Sequence, residues 1–223
     1  IASHNLRALE LDKNRISSLG STALAEVLYK YTDLTKLRLD ANQIGDKSAI
    51  SLANALKGRT TPQLLGLCDN NLADEGIGVL AENLHPASLT HVDLGNCHIT
   101  APGAQKLARL LAKCGSLKQL FFSNNRIEEE GGMYLAQGLQ ACTALECLYL
   151  NYCEIGDTGA TSIARALAGC QSLRTISLRY CNLGAEGARS LKRAFAGSTA
   201  LQVLRMSEDG KTEEFFDRLS VGP

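Results

Sequence analysis

The chain lacks tryptophan altogether and carries only six tyrosines and five phenylalanines among 223 residues. A core organised around a few large rings is therefore excluded, and the apolar volume must come from many small, similar side chains. Net charge is absent as well: 23 lysines and arginines balance 23 aspartates and glutamates, and the balance persists within each half. A dedicated nucleic-acid or anionic-membrane surface is not expected from such a sequence. No run approaches the roughly 18 apolar residues that a spanning helix needs, and Ile1 to Asn5 form neither the charged nor the apolar region of a signal peptide. Phosphate-cradle and hydrolase motifs are missing too, with no G-x-x-x-x-G-K-[ST], G-x-S-x-G or H-E-x-x-H. No catalytic residue, metal or cofactor is assigned, and intrinsic catalysis is not expected.

What the sequence does have is one phrase, eight times. It reads LRALELDKNRI from Leu6, LTKLRLDANQI from Leu34, PQLLGLCDNNL from Pro62, LTHVDLGNCHI from Leu89, LKQLFFSNNRI from Leu117, LECLYLNYCEI from Leu145, LRTISLRYCNL from Leu173 and LQVLRMSEDGK from Leu201. The ninth residues, Asn14, Asn42, Asn70, Cys97, Asn125, Cys153, Cys181 and Asp209, lie 28 apart apart from one interval of 27. Positions four and six are two residues apart, so they share one face of a short strand and must be buried. At the turn that follows, an Asn can satisfy backbone groups of the neighbouring coil, and a Cys fits the same slot as a weak donor. Each phrase precedes a segment such as GATSIARAL from Gly159, with apolar residues at helical spacing. Ten residues after the ninth slot stand Leu24, Leu52, Leu80, Leu107, Leu135, Ile163, Leu191 and Leu219. Asp46, Asp74, Glu75, Glu130, Asp157 and Glu186 sit where helices should start and favour the exposed amides and positive dipole end there. Glycines at 20, 76, 103, 131, 159 and 187 let each helix start lie close to its strand.

One strand and one helix cannot bury a core alone, so the units must stack. The expected fold is an α/β solenoid, a right-handed horseshoe with a parallel sheet on its concave side and helices on its convex side. The last unit has Asp209 in the Asn slot, Lys211 in a leucine slot and Phe215 in the glycine slot, and reads as a degenerate, polar helical cap. The first unit is fully regular and would leave an apolar edge. The sequence is accordingly read as one domain over 1–223, the C-terminal part of a longer protein whose own N-terminal domain packs on the first repeat.

Eight cysteines do not spell a disulfide framework here. Cys97, Cys153 and Cys181 occupy the ninth slot, and Cys114, Cys142 and Cys170 each stand three residues before a phrase. Repeat-slot thiols imply a reducing, cytoplasmic setting, and the absence of any N-x-S/T acceptor agrees. There is no C-x-x-C pair, and Cys142, Cys147 and Cys153 belong to different layers or faces of one unit, so zinc is not expected. His91 and Asp93 alternate on one strand and face the same side; a hydrogen-bonded pair or a lone metal ligand is conceivable, and a solvated polar pair is the reading adopted.

Positions three, five, seven and eight of each phrase should face out of the concave sheet. The first four units place mixed charge there. The last four bring Phe121, Tyr149, Tyr152 and Tyr180, beside Arg179 and Arg205 and among Ser177, Val203 and Ser207. Tyrosine and arginine dominate binding hot spots, so these six residues are the candidate partner-binding site, although flat parallel strands also favour aromatics for their own sake. The acidic run Glu128 to Glu130 reads as a solvated helix start, with a basic partner as the alternative.

The 28-residue period with a full helix per unit resembles the ribonuclease-inhibitor-like class of leucine-rich repeats. The phrase IGDTGATSIARALAGCQSLRTISLRYCNL, from Ile155, is most similar to the repeats of NOD-like receptors. That resemblance implies a non-enzymatic module that recognises a protein or another ligand on its concave surface, as the sensing region of an intracellular innate-immune receptor. Two alternatives stand beside it. One is a GTPase-activating protein resembling that of Ran, although the chain has no acidic tail; the other is a static scaffold, for example cytoskeletal, or an enzyme inhibitor.

Overall fold

The computed structural model describes residues 5–208 and 212–217. Short strands and helices alternate in the order β1 (Ala8–Glu10), α1 (Ser18–Leu28), β2 (Lys36–Arg38), α2 (Asp46–Leu56), β3 (Leu64–Gly66), α3 (Ala73–Asn83), β4 (His91–Asp93), α4 (Ala101–Leu111) and β5 (Gln119–Phe121). There follow α5 (Glu128–Ala141), β6 (Cys147–Tyr149), α6 (Gly156–Leu167), β7 (Thr175–Leu183), α7 (Ala185–Gly197), β8 (Val203–Glu208) and β9 (Thr212–Asp217). All nine strands form one sheet in chain order, β1 to β8 parallel and β9 antiparallel beside β8. The α/β solenoid expected from the repeat is the observed architecture. Among the described residues no helix is long and apolar enough to cross a membrane.

Neighbouring strands pair at the repeat's own period, Leu9 opposite Leu37, Leu37 opposite Leu65 and Leu120 opposite Leu148. The 27-residue interval keeps this register, with Leu65 opposite Val92, so the missing residue is taken up after α3 and not in the sheet. Positions four and six then stack into two buried columns, Leu37, Leu65, Val92, Leu120, Leu148, Ile176 and Leu204, and beside it Leu39, Leu67, Leu94, Phe122, Leu150, Leu178 and Met206. From the helix side Leu52, Leu80, Leu107, Leu135, Ile163 and Leu191 close the core completely. Leu24 of the first unit is only partly buried, because it has a neighbour on one side.

The ninth-slot side chains do what an amide at a buried turn should do. Asn70 accepts the Ile44 amide at 3.0 Å and donates to the carbonyls of Leu39, Leu67 and Cys68. Cys97, Cys153 and Cys181 keep the donor half of that role, their thiols pointing to the carbonyls of Leu67, Phe122 and Leu150, but a thiol offers little as an acceptor. The loop one repeat earlier compensates. Where the next unit carries Asn, the residue at position twelve is extended (Ser17, Gly45, Thr100). Where the next unit carries Cys, that residue is left-handed: Ala73 at φ 43°, Glu128 at 61° and Gly156 at 61°. In that form the amides of Ala73 and Glu128 donate to the carbonyls of Cys97 and Cys153, and the Ile127 amide turns to the Asn125 carbonyl.

Three of the acidic residues at the helix starts act on a different helix from the one expected. Asp46 accepts the Gly76 amide at 2.7 Å, Asp74 the amides of Thr100 and Gly103, and Asp157 those of Gly184 and Gly187. Each carboxylate thus binds the N-terminus of the following repeat's helix, satisfying its orphan amides. The glycine slot is correspondingly filled by that carboxylate: a Cβ at Gly187 would lie 2.6 Å from Asp157 Oδ1.

The C-terminal end corrects the expected helical cap. Residues 212–217, where a degenerate eighth helix was anticipated around Phe215, form the strand β9, whose register runs from Glu208 opposite Thr212 to Val203 opposite Asp217. The outer edge of β8 is paired by this antiparallel return, which satisfies its amides and carbonyls directly. Asp209, Lys211 and Leu219 lie outside the described residues. At the other end Leu6, Leu9, Leu11 and Ile16 are partly buried, and Leu19 is 85% exposed.

Candidate functional site

Strands β1 to β6 are each three residues of extended backbone, and β7 and β8 open on the same three positions, so positions three and five leave on one face and position four on the other. Parallel register one repeat apart converts position five into a column: Glu10, Arg38, Gly66, Asp93, Phe121, Tyr149, Ser177 and Arg205. Strand spacing of about 4.8 Å is also the separation at which rings stack. Phe121 and Tyr149 lie with centroids 4.9 Å apart and planes 2° apart. The column of rings stops at Ser177, which is buried and donates its hydroxyl to Asn151 Oδ1 at 2.6 Å. Val203 and Ser207, also expected to face out, are buried as well; the Ser207 hydroxyl accepts the Tyr180 amide.

The second aromatic pair arises differently. Position eight is in left-handed backbone in each of the first seven units, at Lys13, Ala41, Asp69, Asn96, Asn124, Tyr152 and Tyr180. Asn and Asp tolerate that region, whereas a large side chain there costs on the order of 1 kcal/mol. Tyr152 (φ 57°) and Tyr180 (φ 56°) nevertheless occupy it and stack with centroids 4.7 Å apart. Tyr152 is 53% exposed, so its ring contributes little to the core. The structure therefore brings the four rings together as two stacked pairs, Phe121 with Tyr149 and Tyr152 with Tyr180. Arg179 and Arg205 are half-buried in the last two units of the same face.

The N-terminal half of the face is already paired within itself. Arg38 reaches Asp12 at 3.0 Å and Asp40 at 2.8 Å, and Lys36 reaches Glu10 at 2.7 Å. Sequence reasoning missed the recess of about 240 Å³ that opens where Gly66 leaves a gap in the column between Arg38 and Asp93, with His91 and Phe121 at its walls. The glycine at position five was its only sequence signal. Burial pushes the carboxyls of Asp40 and Asp93 above their ordinary values, and burial together with Asp93, Asp69 and Asp40 pushes the Cys68 thiol up to about 12. His91 and Asp93 do not pair: His91 Nδ1 lies 2.9 Å from the Thr90 hydroxyl, and Asp93 accepts the Gly95 amide. All eight cysteines are free thiols. Among the described residues no three His, Cys, Asp or Glu side chains gather as metal ligands would.

Stacked rings beside arginines can bury area and donate hydrogen bonds to a ligand, and the comparisons bear on the scaffold that presents them. No curated protein sequence matches the chain. Among solved structures, the C-terminal domain of tropomodulin from Caenorhabditis elegans is similar at TM-score 0.51 and 16% identity, covering 68% of this chain and 92% of that one. This likeness is one of fold. The family model described as Leucine Rich repeat matches residues 2–25, 32–53, 85–108, 141–164 and 169–192. With that match over more than half of its residues, and with the repeat's strand, turn and helix in the places the phrase requires, the chain belongs to the leucine-rich repeat family.

Proposed function

We propose that the chain is a non-enzymatic protein-recognition module of the ribonuclease-inhibitor-like class. It binds a protein partner on the concave face of its C-terminal half through Phe121, Tyr149, Tyr152 and Tyr180, flanked by Arg179 and Arg205. The observation that carries this reading is the Tyr152–Tyr180 stack, one exposed ring and one half-buried ring held in backbone that an asparagine would occupy at lower cost. Backbone strain without core benefit points to selection for the surface itself. A full α-helix in each of the first seven repeats supports the assignment to that class.

The test compares capture from lysate by the immobilised chain and by its Tyr149→Ala/Tyr152→Ala/Tyr180→Ala variant, with captured proteins identified by mass spectrometry. Loss of a specific protein with a melting temperature changed by no more than a few degrees is the expected result. Identical capture by both proteins would exclude the patch. The identity of the captured protein separates the three forms such a module takes: sensing region of an NLR-like receptor, regulator of a GTPase, or scaffold. The half-buried leucines of the first repeat offer a further portion of the same protein a face to pack on.

A further inference from the structure

On the convex side, a groove opens between the C-terminal halves of α3 and α4. The repeat is one residue short here, so the chain leaves α3 after Asn83 and turns through Leu84 and Pro86. Gly78 presents no side chain to the gap, and the stem of Lys106 crosses it, with Cδ 2.6 Å from where a Cβ would stand. Lys106 is anchored there by a bond from its Nζ to the Asp74 carbonyl at 3.0 Å. What results is a groove of about 300 Å³.

Its floor is apolar, supplied by Leu84 and Leu110, and one wall is cationic. Lys106 and Arg109 are three apart on one face of α4, and Lys113 follows in the turn past its end, lining the same groove. Glu82 is the single carboxylate in the lining. Among the described residues neither Arg109 nor Lys113 joins an ion pair, whereas Lys36, Lys118 and Arg126 each do. One cation in the last turn of a helix is ordinary compensation of its dipole. Three cations around one groove, on a chain of zero net charge, exceed that.

We propose that this groove is a second docking site, which receives an acidic segment of a partner protein, with an apolar side chain seated on Leu84 and Leu110 and flanking carboxylates toward Arg109 and Lys113. Charge complementarity selects the anionic occupant. The concave, apolar-floored shape selects a peptide over a membrane, because a flat lipid surface cannot enter it. The site is independent of the concave face.

The test is an NMR titration of the chain with the peptide acetyl-Glu-Glu-Leu-Glu-Glu-amide, with the serine-centred peptide acetyl-Glu-Glu-Ser-Glu-Glu-amide as control. The leucine peptide should shift the amides of Gly78, Ala81 and Leu110 saturably, and more weakly at higher salt. Affinity should fall about tenfold in Arg109→Glu/Lys113→Glu, and to a lesser extent in Arg109→Gln/Lys113→Gln, which guards against a folding effect of charge reversal. Tyr152→Ala/Tyr180→Ala should bind as the parent does. Equal affinity for the two peptides, undiminished binding by both charge variants, or binding to phosphatidylserine vesicles without any peptide binding would each overturn the proposal.

Discussion

Asn125 is fully buried, and its side chain serves four backbone groups: it accepts the amides of Cys97 and Ile99 and donates to the carbonyls of Leu94 and Phe122. Asn125→Ala strands all four, and urea unfolding should show a loss of about 3 kcal/mol. Asn125→Cys keeps a weak donor and should lose less; the reverse order would refute the part assigned to the thiol. Asp93 offers a test with an opposite sign. A carboxyl whose folded value is raised contributes stability below its unfolded value of about 4 and loses it as pH rises through the folded value. Asp93→Asn removes the charge and retains an acceptor for the Gly95 amide. Its melting temperature should exceed the parent's by on the order of 1–3 °C at pH 7 and match it near pH 3. A less stable variant at pH 7 would contradict the burial argument. Thiol reactivity belongs to this scale as well: Cys97, Cys114, Cys142, Cys153 and Cys181 are buried, and Cys68, Cys147 and Cys170 partly so. Burial pushes every one of them up. With Ellman's reagent near neutral pH the native chain should titrate at those last three positions only, and slowly; the other five thiols should appear on denaturation.

Strands and helices were legible in the sequence because their signals are local. Leu148 and Leu150 report a strand by alternation, and Ala160, Ile163, Ala164 and Leu167 report a helix by period. The loops between them were not legible, because the conformation of each depends on a residue in the next repeat. Glu128 is left-handed because Cys153, one repeat on, leaves the Ile127 amide without a side-chain acceptor. Cys153→Asn supplies that acceptor, and a crystal structure of the variant should show Glu128 in extended backbone with the Ile127 amide on the new side chain. An unchanged positive φ at Glu128 would refute the coupling. Asp157 was likewise recognised as a helix-start residue, but the helix it binds is α7, a relation that exists only when two repeats stand side by side.

A solenoid's stability is the sum of repeats and their interfaces, so position along the stack matters as much as chemistry. Leu148 is enclosed by repeats on both sides, and Leu148→Ala should cost about 2–5 kcal/mol. Leu9 occupies the same slot in the first repeat and is only partly buried; Leu9→Ala should cost roughly 1 kcal/mol by the same area argument. Equal losses in urea unfolding would mean that the first repeat is covered in solution. At the other end the repeat's periodicity predicts an eighth helix after β8, where the chain instead returns as β9. Asp209-Gly210, between Met206–Glu208 and the segment 212–217, is the dipeptide favoured in hairpins and was the available signal. Periodicity outweighed it.

From the sequence alone came the period, the alternation of strand and helix, the two leucine columns and the purpose of the Asn and Cys slots. All of these follow from spacing within one unit and from the certainty that identical units stack. The same residues could not say that Phe121 and Tyr149 would stack while Ser177 ended the column, or that Asp46 would reach Gly76. Nor could they say that Gly66 and Gly78 would leave a recess and a groove on opposite faces. Those features depend on lateral distances between repeats and on the volume that neighbouring side chains leave empty, and both quantities come into existence only when the stack is formed.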